Sequence, residues 1–449
     1  MSLIKELLNL KKKKISFFTT PSHGQKEPFK TQLGKKYYNI DMSEVDGLDN
    51  LSNPEGCIKD MICKLSEIYA SGLTYPLTNG SSQGVLAVML ALLNKNDKVL
   101  IAENCHSSVH NGLILSGAMP VWIKPNFDKK YGIYTTVTPQ SIEDAITANK
   151  DAKMLIITSP TYDGIISNVE KISAICKANN VILFVDEAHG ALWNFDKSIE
   201  VPAILLGADI AVQSLHKTCG AINPASLLHI SKNTEVEADK IISMLNMLTT
   251  TSPSYPLLVN IEEITAMLHS QKGKKLIDEM LSSITIFTNE LKKLEFIDIY
   301  DHNNDITKIL IHTKNIPAEE ACDIIYNKYK IECEIQHESA LTFICGVGTT
   351  KTKLKKLLKA LKYINKISLK RDEITKNQPT PPIKKMAISP QNAYYSEHIE
   401  LPIKDALGKI CAQTITTYPP GIPLLTLGEV VLEEHLKFID NDLKIRIVK

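Results

Sequence analysis

The chain has 449 residues, 44% of them hydrophobic and 22% charged, a globular composition that excludes disorder as its main state. Lysine plus arginine is 51 against 50 acids, so the formal charge is +1 and no global field recruits nucleic acid or an anionic membrane. The longest apolar run, Gly84 to Leu93, has ten residues, about half of a bilayer-spanning helix.

In the N-terminal stretch MSLIKELLNLKKKKISFF the lysines follow the apolar residues, and no small-residue cleavage site comes after a long apolar run. That is unlike a secretory signal, and a cytoplasmic location is expected. Nine scattered cysteines with no CxxC pair read as reduced thiols, with neither a disulfide frame nor a metal site.

From about residue 70 to 235, short β-branched runs alternate with helical-period stretches, the pattern of a doubly wound sheet. The predicted strands are Lys98 to Ala102, Val121 to Lys124, Lys153 to Thr158, Val181 to Val185, Ile210 to Gln213 and Ser226 to Ile230. Val169 to Ala178 is an amphipathic helix between two of them. Beyond Ser252 come helices over Glu262 to Leu268 and Lys275 to Leu294. Strands Lys308 to His312 and Leu341 to Cys345 then flank a helix, Ala318 to Lys328. A lysine-rich helix over 351–363 carries Leu354, Leu357, Leu358 and Leu361 on one face and reads as solvated on the other. Charge and three prolines in Lys370 to Lys385 mark a linker.

The expected fold is α/β, a mostly parallel doubly wound sheet with a smaller α+β domain and a C-terminal appendage. The expected partition is an N-terminal segment 1–45, a large domain 46–260, a small domain 261–368, a linker 369–388 and a C-terminal domain 389–449.

Ligands of open parallel sheets sit at the carboxyl ends of strands, so the residues just past each apolar run carry the chemistry. Thr78-Asn79-Gly80-Ser81-Ser82-Gln83-Gly84 is a glycine-flanked hydroxyl loop opening an apolar helix, an anion cradle built from free N–H groups and the helix dipole. The strand over 181–185 runs directly into Asp186-Glu187-Ala188-His189-Gly190, and a carboxylate buried there requires a strong partner, a metal or a cationic heterocycle. Ser214-Leu215-His216-Lys217 places a lysine at a strand end, a candidate Schiff-base amine because burial lowers its pKa. Glu103-Asn104-Cys105-His106 brings an imidazole over the same crevice. Taken singly, each also reads as a cap, a surface lysine or a satisfied histidine.

Together these segments resemble fold-type I pyridoxal phosphate enzymes, and more narrowly the Orn/Lys/Arg decarboxylase family. Further matching segments are Ser159-Pro160-Thr161-Tyr162-Asp163-Gly164, Leu248 to Tyr255 and Tyr418-Pro419-Pro420-Gly421-Ile422-Pro423, all in family order from about residue 16 to 430. The chain is most like the short biosynthetic arginine decarboxylases, since no wing domain precedes the first motif. The resemblance implies pyridoxal 5'-phosphate held as a Schiff base on Lys217, with Asp186 on the pyridinium nitrogen. It implies His106 stacked on one ring face, Ala188 on the other, and Ser81, Ser82, Ser214 and His216 around the phosphate. His189 or Lys217 would return the proton to Cα, and a homodimer or higher homo-oligomer is implied. Three segments depart from the family pattern: Pro21-Ser22-His23-Gly24, Thr218 to Pro224 and Leu427-Gly428-Glu429.

Arginine occurs only at Arg371 and Arg446, so the first 370 residues cannot clamp a carboxylate with a guanidinium. This favours loss of CO2 over transamination, which often holds the carboxylate in the ring plane. A basic substrate needs an acid at its distal end, and Asp305 and Glu334, beside the predicted small-domain strands, are the candidates. The expected ranking of substrates is arginine, lysine, ornithine. Other readings are an aminotransferase and a non-catalytic paralogue that binds the cofactor.

Overall fold

The computed structural model describes residues 13–18, 49–302, 304–372, 382, 384–416 and 423–449. The segments Pro21 to Gly24 and Tyr418 to Ile422, and most of the proline-rich linker, lie outside the described residues.

Seven strands form the main sheet: Leu73–Leu77 (β1), Lys98–Ala102 (β2), Met119–Ile123 (β3), Met154–Thr158 (β4), Ile182–Asp186 (β5), Ile210–Ser214 (β6) and Ser226–Ile230 (β7). Their order is β1-β7-β6-β5-β4-β2-β3, parallel except at β7, which runs antiparallel to both neighbours. Both faces are covered, so the central strands are apolar along their whole length; Leu155, Ile156, Leu183 and Phe184 are all fully buried.

Strand β1 is the one strand of this sheet that the alternation pattern missed. Pro76 lies inside it and cannot donate to a ladder, and β1 is accordingly an edge strand paired only with β7. The helix Gly80–Leu92 that follows is apolar nearly all round because it packs between the sheet and its neighbouring helices. It lies close to the sheet at Gly84, where a Cβ would come within 2.8 Å of Leu77 and 2.9 Å of Val212.

A second, four-stranded antiparallel sheet contains Ile297–Ile299 (β8), Lys308–Thr313 (β9), Ile335–Gln336 (β10) and Ala340–Ile344 (β11) in the order β8-β9-β11-β10. The helices Gln271–Leu291, Ala318–Tyr329 and Lys351–Ser368 flank it; the last runs five residues past the expected end at 363 because Ile364 and Ser368 continue its buried face. Ser16–Phe17 pairs in parallel with Ile331–Glu332. A separate small core near the C-terminus contains Ile403, Cys411, Leu425, Val431, Ile445 and Ile447. Within that unit, Glu429 is fully buried and accepts the Thr426 N–H at 2.9 Å.

Candidate active site

The carboxyl ends of β2, β4, β5 and β6, with the loop after β1, enclose a cavity of about 290 Å3. Ser81, Ser82, His106, Asp186, Ala188, His189, Ser214, His216 and Lys217 all line it. Nine of the eleven expected site residues are therefore brought together by the crossovers of one sheet, although 136 positions separate the first from the last.

One wall is built for an anion. Asn79 precedes the helix Gly80–Leu92 without capping it through its side chain, so the first-turn N–H groups and the positive end of the dipole face this wall. Ser214 Oγ donates to Ser81 Oγ at 3.1 Å, and Ser226 Oγ lies 3.3 Å from Ser214 Oγ. His216 Nδ1 is 3.1 Å from the Ala225 carbonyl, which sets that nitrogen as the protonated one.

Another part of the cavity carries the acid. Asp186 closes β5 in register with Thr158 of β4, is only 5% exposed, and accepts the Ala188 N–H at 3.1 Å. Glu187 turns to the other side of the strand, where it accepts Ala203 N–H at 2.8 Å and Gln213 Nε2 at 2.5 Å. Burial pushes its carboxyl up to about 8 despite those donors.

Lys217 follows β6 in a single helical turn, Leu215–Thr218. Its Nζ is 2.9 Å from His189 Nε2 and 5.8 Å from the centre of the Tyr162 ring. Desolvation lowers the amine to about 8, with Asp186 pulling the other way and Lys308 reinforcing the shift. His189 is held well below its ordinary value by burial first and then by Lys217, so it is a neutral imidazole accepting from the amine. His106 caps the helix Ser107–Ser116 by accepting the Ser108 N–H on Nδ1, at 3.2 Å, and desolvation lowers its pKa too.

The residues present fit a planar, anionic aldehyde cofactor. Two polar atoms of the lining residues, Thr158 Oγ1 and His189 Nδ1, are buried without a hydrogen-bond partner, as expected where a polar group belongs. An anion-binding helix end, an amine and a buried carboxylate share the same cavity walls.

The two expected distal acids part company. Asp305 is 1% exposed and is not among the lining residues; its oxygens take Trp193 Nε1 at 3.0 Å and the Thr307 N–H at 2.7 Å. It is thus a bracket that holds a loop, because both oxygens are already committed. Glu334 is not among the lining residues either, but it accepts the hydroxyl of Tyr162 at 2.6 Å, and Tyr162 does line the cavity, with its ring 4.6 Å from that of His189.

Sequence reading assigned no site role to Thr158, Tyr162, Asp163, Tyr134 or Asn223, all of which line the cavity. The strand-end rule reaches Thr158, Tyr162 and Asp163, since they lie at or just past the end of β4. Tyr134 comes from the short hairpin that pairs Phe127–Asp128 with Ile133–Tyr134, and Asn223 from the loop before β7, so neither lies at a carboxyl end of the main sheet.

Comparison with protein families matches residues 2–322 to "Orn/Lys/Arg decarboxylase, major domain" and residues 373–442 to "Orn/Lys/Arg decarboxylase, C-terminal domain". The chain belongs to the Orn/Lys/Arg decarboxylase family. This decarboxylase is 31% identical over 443 residues to an arginine decarboxylase of Halalkalibacterium halodurans, covering 94% of this chain and 89% of the relative. It is 24% identical to the constitutive lysine decarboxylase of Escherichia coli, covering 97% of this chain and 76% of that protein. The crystal structure of the Francisella novicida lysine decarboxylase superposes with a TM-score of 0.81 at 21% identity, over 93% of this chain and 75% of that one, and so shares the fold. Membership makes the protein an amino-acid decarboxylase, an enzyme of the fold class expected from its sequence.

Proposed function

We propose that this decarboxylase converts L-arginine to agmatine and CO2, working with pyridoxal 5'-phosphate carried on Lys217. The observation that carries the cofactor reading is that Lys217 and Asp186 line one cavity together with a serine-bearing helix N-terminus. Arginine is ranked above lysine and ornithine because identity, and the share of the relative that is matched, are higher for the arginine decarboxylase than for the lysine enzyme. A homo-oligomeric, cytoplasmic enzyme of polyamine synthesis is part of the same reading.

When bound, the cofactor supplies an electron-withdrawing ring that accepts the electron pair left at Cα as the carboxylate departs. Asp186 would keep the ring nitrogen protonated, and His106 and Ala188 would hold its two faces. Ser81, Ser82, Ser214 and His216 would bind the phosphate beside the helix end. No arginine lines the cavity among the described residues: Arg371 pairs with Glu320, and Arg446 lies 3.6 Å from Glu400. The substrate carboxylate is therefore left without a guanidinium clamp, which suits its expulsion. Cα must then take up one proton. With His189 neutral and accepting from Lys217 Nζ, the amine is the better placed donor. Glu334, held by Tyr162, would meet the distal cation of the substrate.

The test is CO2 release and product chromatography with arginine, lysine and ornithine. The expected result is a kcat/KM for arginine at least about tenfold above the other two, a discrimination that one charged contact supplies. Equal turnover of all three would remove arginine from its rank. Lys217→Ala should abolish both turnover and the visible absorbance of the cofactor.

A further inference from the structure

The loop Thr161 to Gly164 leaves β4 and carries Tyr162, the residue that joins the cavity to Glu334. Two sets of contacts pin this loop to the second sheet. On one side, Asp305 N–H donates to the Gly164 carbonyl at 2.8 Å and Ile165 bridges Asn304. Gly164 has φ +95°, and a Cβ there would lie 2.5 Å from both Asn304 Oδ1 and Lys308 Cβ, so the loop sits directly against that segment.

On the other side is a buried polar cluster that the chemistry described above does not use. Asp163 Oδ1 accepts from His337 Nε2 at 2.6 Å and from Thr342 Oγ1 at 2.6 Å. All three side chains are buried, at 4%, 7% and 0% exposure. Asp163 belongs to the loop after β4, whereas His337 follows β10 and Thr342 lies in β11. Glu334 comes three residues before His337, and its own N–H donates to the Thr342 carbonyl at 2.9 Å. The same short stretch, 334–342, thus carries the acid of the Tyr162–Glu334 pair and the two donors that hold the neighbour of Tyr162.

We propose that Asp163, His337 and Thr342 form a latch that sets the position of the Tyr162–Glu334 pair and thereby the affinity for the distal cation of the substrate. They are positioning residues: Asp163 borders the cavity with its Oδ1 committed to His337 and Thr342, and all three act on substrate through Tyr162 and Glu334. The inference rests on the proposal that Glu334 meets that cation. A buried carboxylate with two donors has one low-energy orientation, because losing either donor leaves charge unpaired. Tyr162 is adjacent in sequence to Asp163, and Glu334 lies three residues from His337 with its N–H on the Thr342 carbonyl, so a shift of about an ångström in the loop separates hydroxyl from carboxylate. Loss of the latch should therefore raise KM and leave the bond-breaking step, performed at Lys217 and Asp186, largely as it was.

The experiment uses the cofactor-loaded full chain with arginine. Asp163→Ala and His337→Leu should each raise KM about tenfold or more, with kcat changed less than about threefold. His337→Gln, which keeps an N–H for Asp163, should recover KM to within about threefold of the wild type. Tyr162→Phe combined with His337→Leu should raise KM no further than the larger single change, since both act through one hydrogen bond. Thr342→Val, nearly isosteric, serves if the larger changes do not fold, with a smaller rise in KM expected. An unchanged KM in the folded variants, a loss confined to kcat, or multiplying effects in the double variant would each overturn the latch. If the wild type itself turns over no arginine, the substrate reading fails instead. The two failures are therefore distinct.

Discussion

At the scale of single residues, the amine of Lys217 combines reactivity with a cost to the fold. Its pKa falls to about 8 because the cavity removes water from the charged form, whereas an unfolded lysine keeps its proton to about 10.5. Below pH 8 both states are protonated and folding bears the whole desolvation penalty. Between about 8 and 10.5 the unfolded chain binds more protons, so stability rises with pH until the penalty has vanished. Lys217→Met should thus stabilise the cofactor-free protein at pH 7 by on the order of 3 kcal/mol, and the gain should shrink towards zero near pH 10.5. Urea melts of both proteins across that range check the sign. A destabilised Lys217→Met at pH 7 would mean that the amine is solvated or firmly paired in the fold.

At the scale of elements, one buried chain of hydrogen bonds ties β5, β6, β7 and the edge strand β1 together. Gln213 Nε2 donates to Glu187, His229 Nε2 is 3.2 Å from Gln213 Oε1, His229 Nδ1 is 2.9 Å from Thr74 Oγ1, and Thr74 Oγ1 is 2.6 Å from Ser71 Oγ. Burial holds His229 at about 3, so the ring is neutral, and one tautomer satisfies the chain: Nε2–H towards Gln213 and Nδ1 accepting from Thr74. The register that places Thr74 opposite His229 makes this possible. His229→Leu leaves the carbonyl of Gln213 and the hydroxyl of Thr74 short of partners in a buried part of the sheet and should cost about 2–4 kcal/mol, read from the urea midpoint. KM should stay unchanged, because none of these groups faces the cavity. A cost under about 0.5 kcal/mol would show that the strands do not depend on the chain.

At the scale of the whole molecule, the C-terminal unit reaches the active site through a helix. Pro390–Tyr395 packs on Ser107–Ser116, with Gln391 Nε2 donating to the Ile114 carbonyl at 3.0 Å. The far end of Ser107–Ser116 is capped by His106, the imidazole that lines the cavity. Removing residues 373–449 uncovers this helix face. The chain 1–372 should lose at least about tenfold in kcat/KM and melt at a lower temperature than the full chain, since a helix anchored on one side only holds its terminal residues less tightly. Full activity in the shortened chain would separate the C-terminal unit from catalysis.

The sequence by itself determined the strands whose alternation is unbroken: β2 and β7 fall on the expected residues, and β4, β5 and β6 within one residue at their ends. It also determined which strand ends bear polar side chains, because a period of two residues and the depletion of charge inside a buried strand are local properties. It missed β1, where Pro76 mimics a turn, and it could not separate Asp305 from Glu334. Both acids precede strands of the second sheet, and nothing local records that one meets Trp193 and the other Tyr162. Those contacts join residues more than 100 positions apart, so chain crossover and packing decided them. Local sequence names the groups available for chemistry; the fold decides which of them are joined to the cavity wall and which are bound elsewhere.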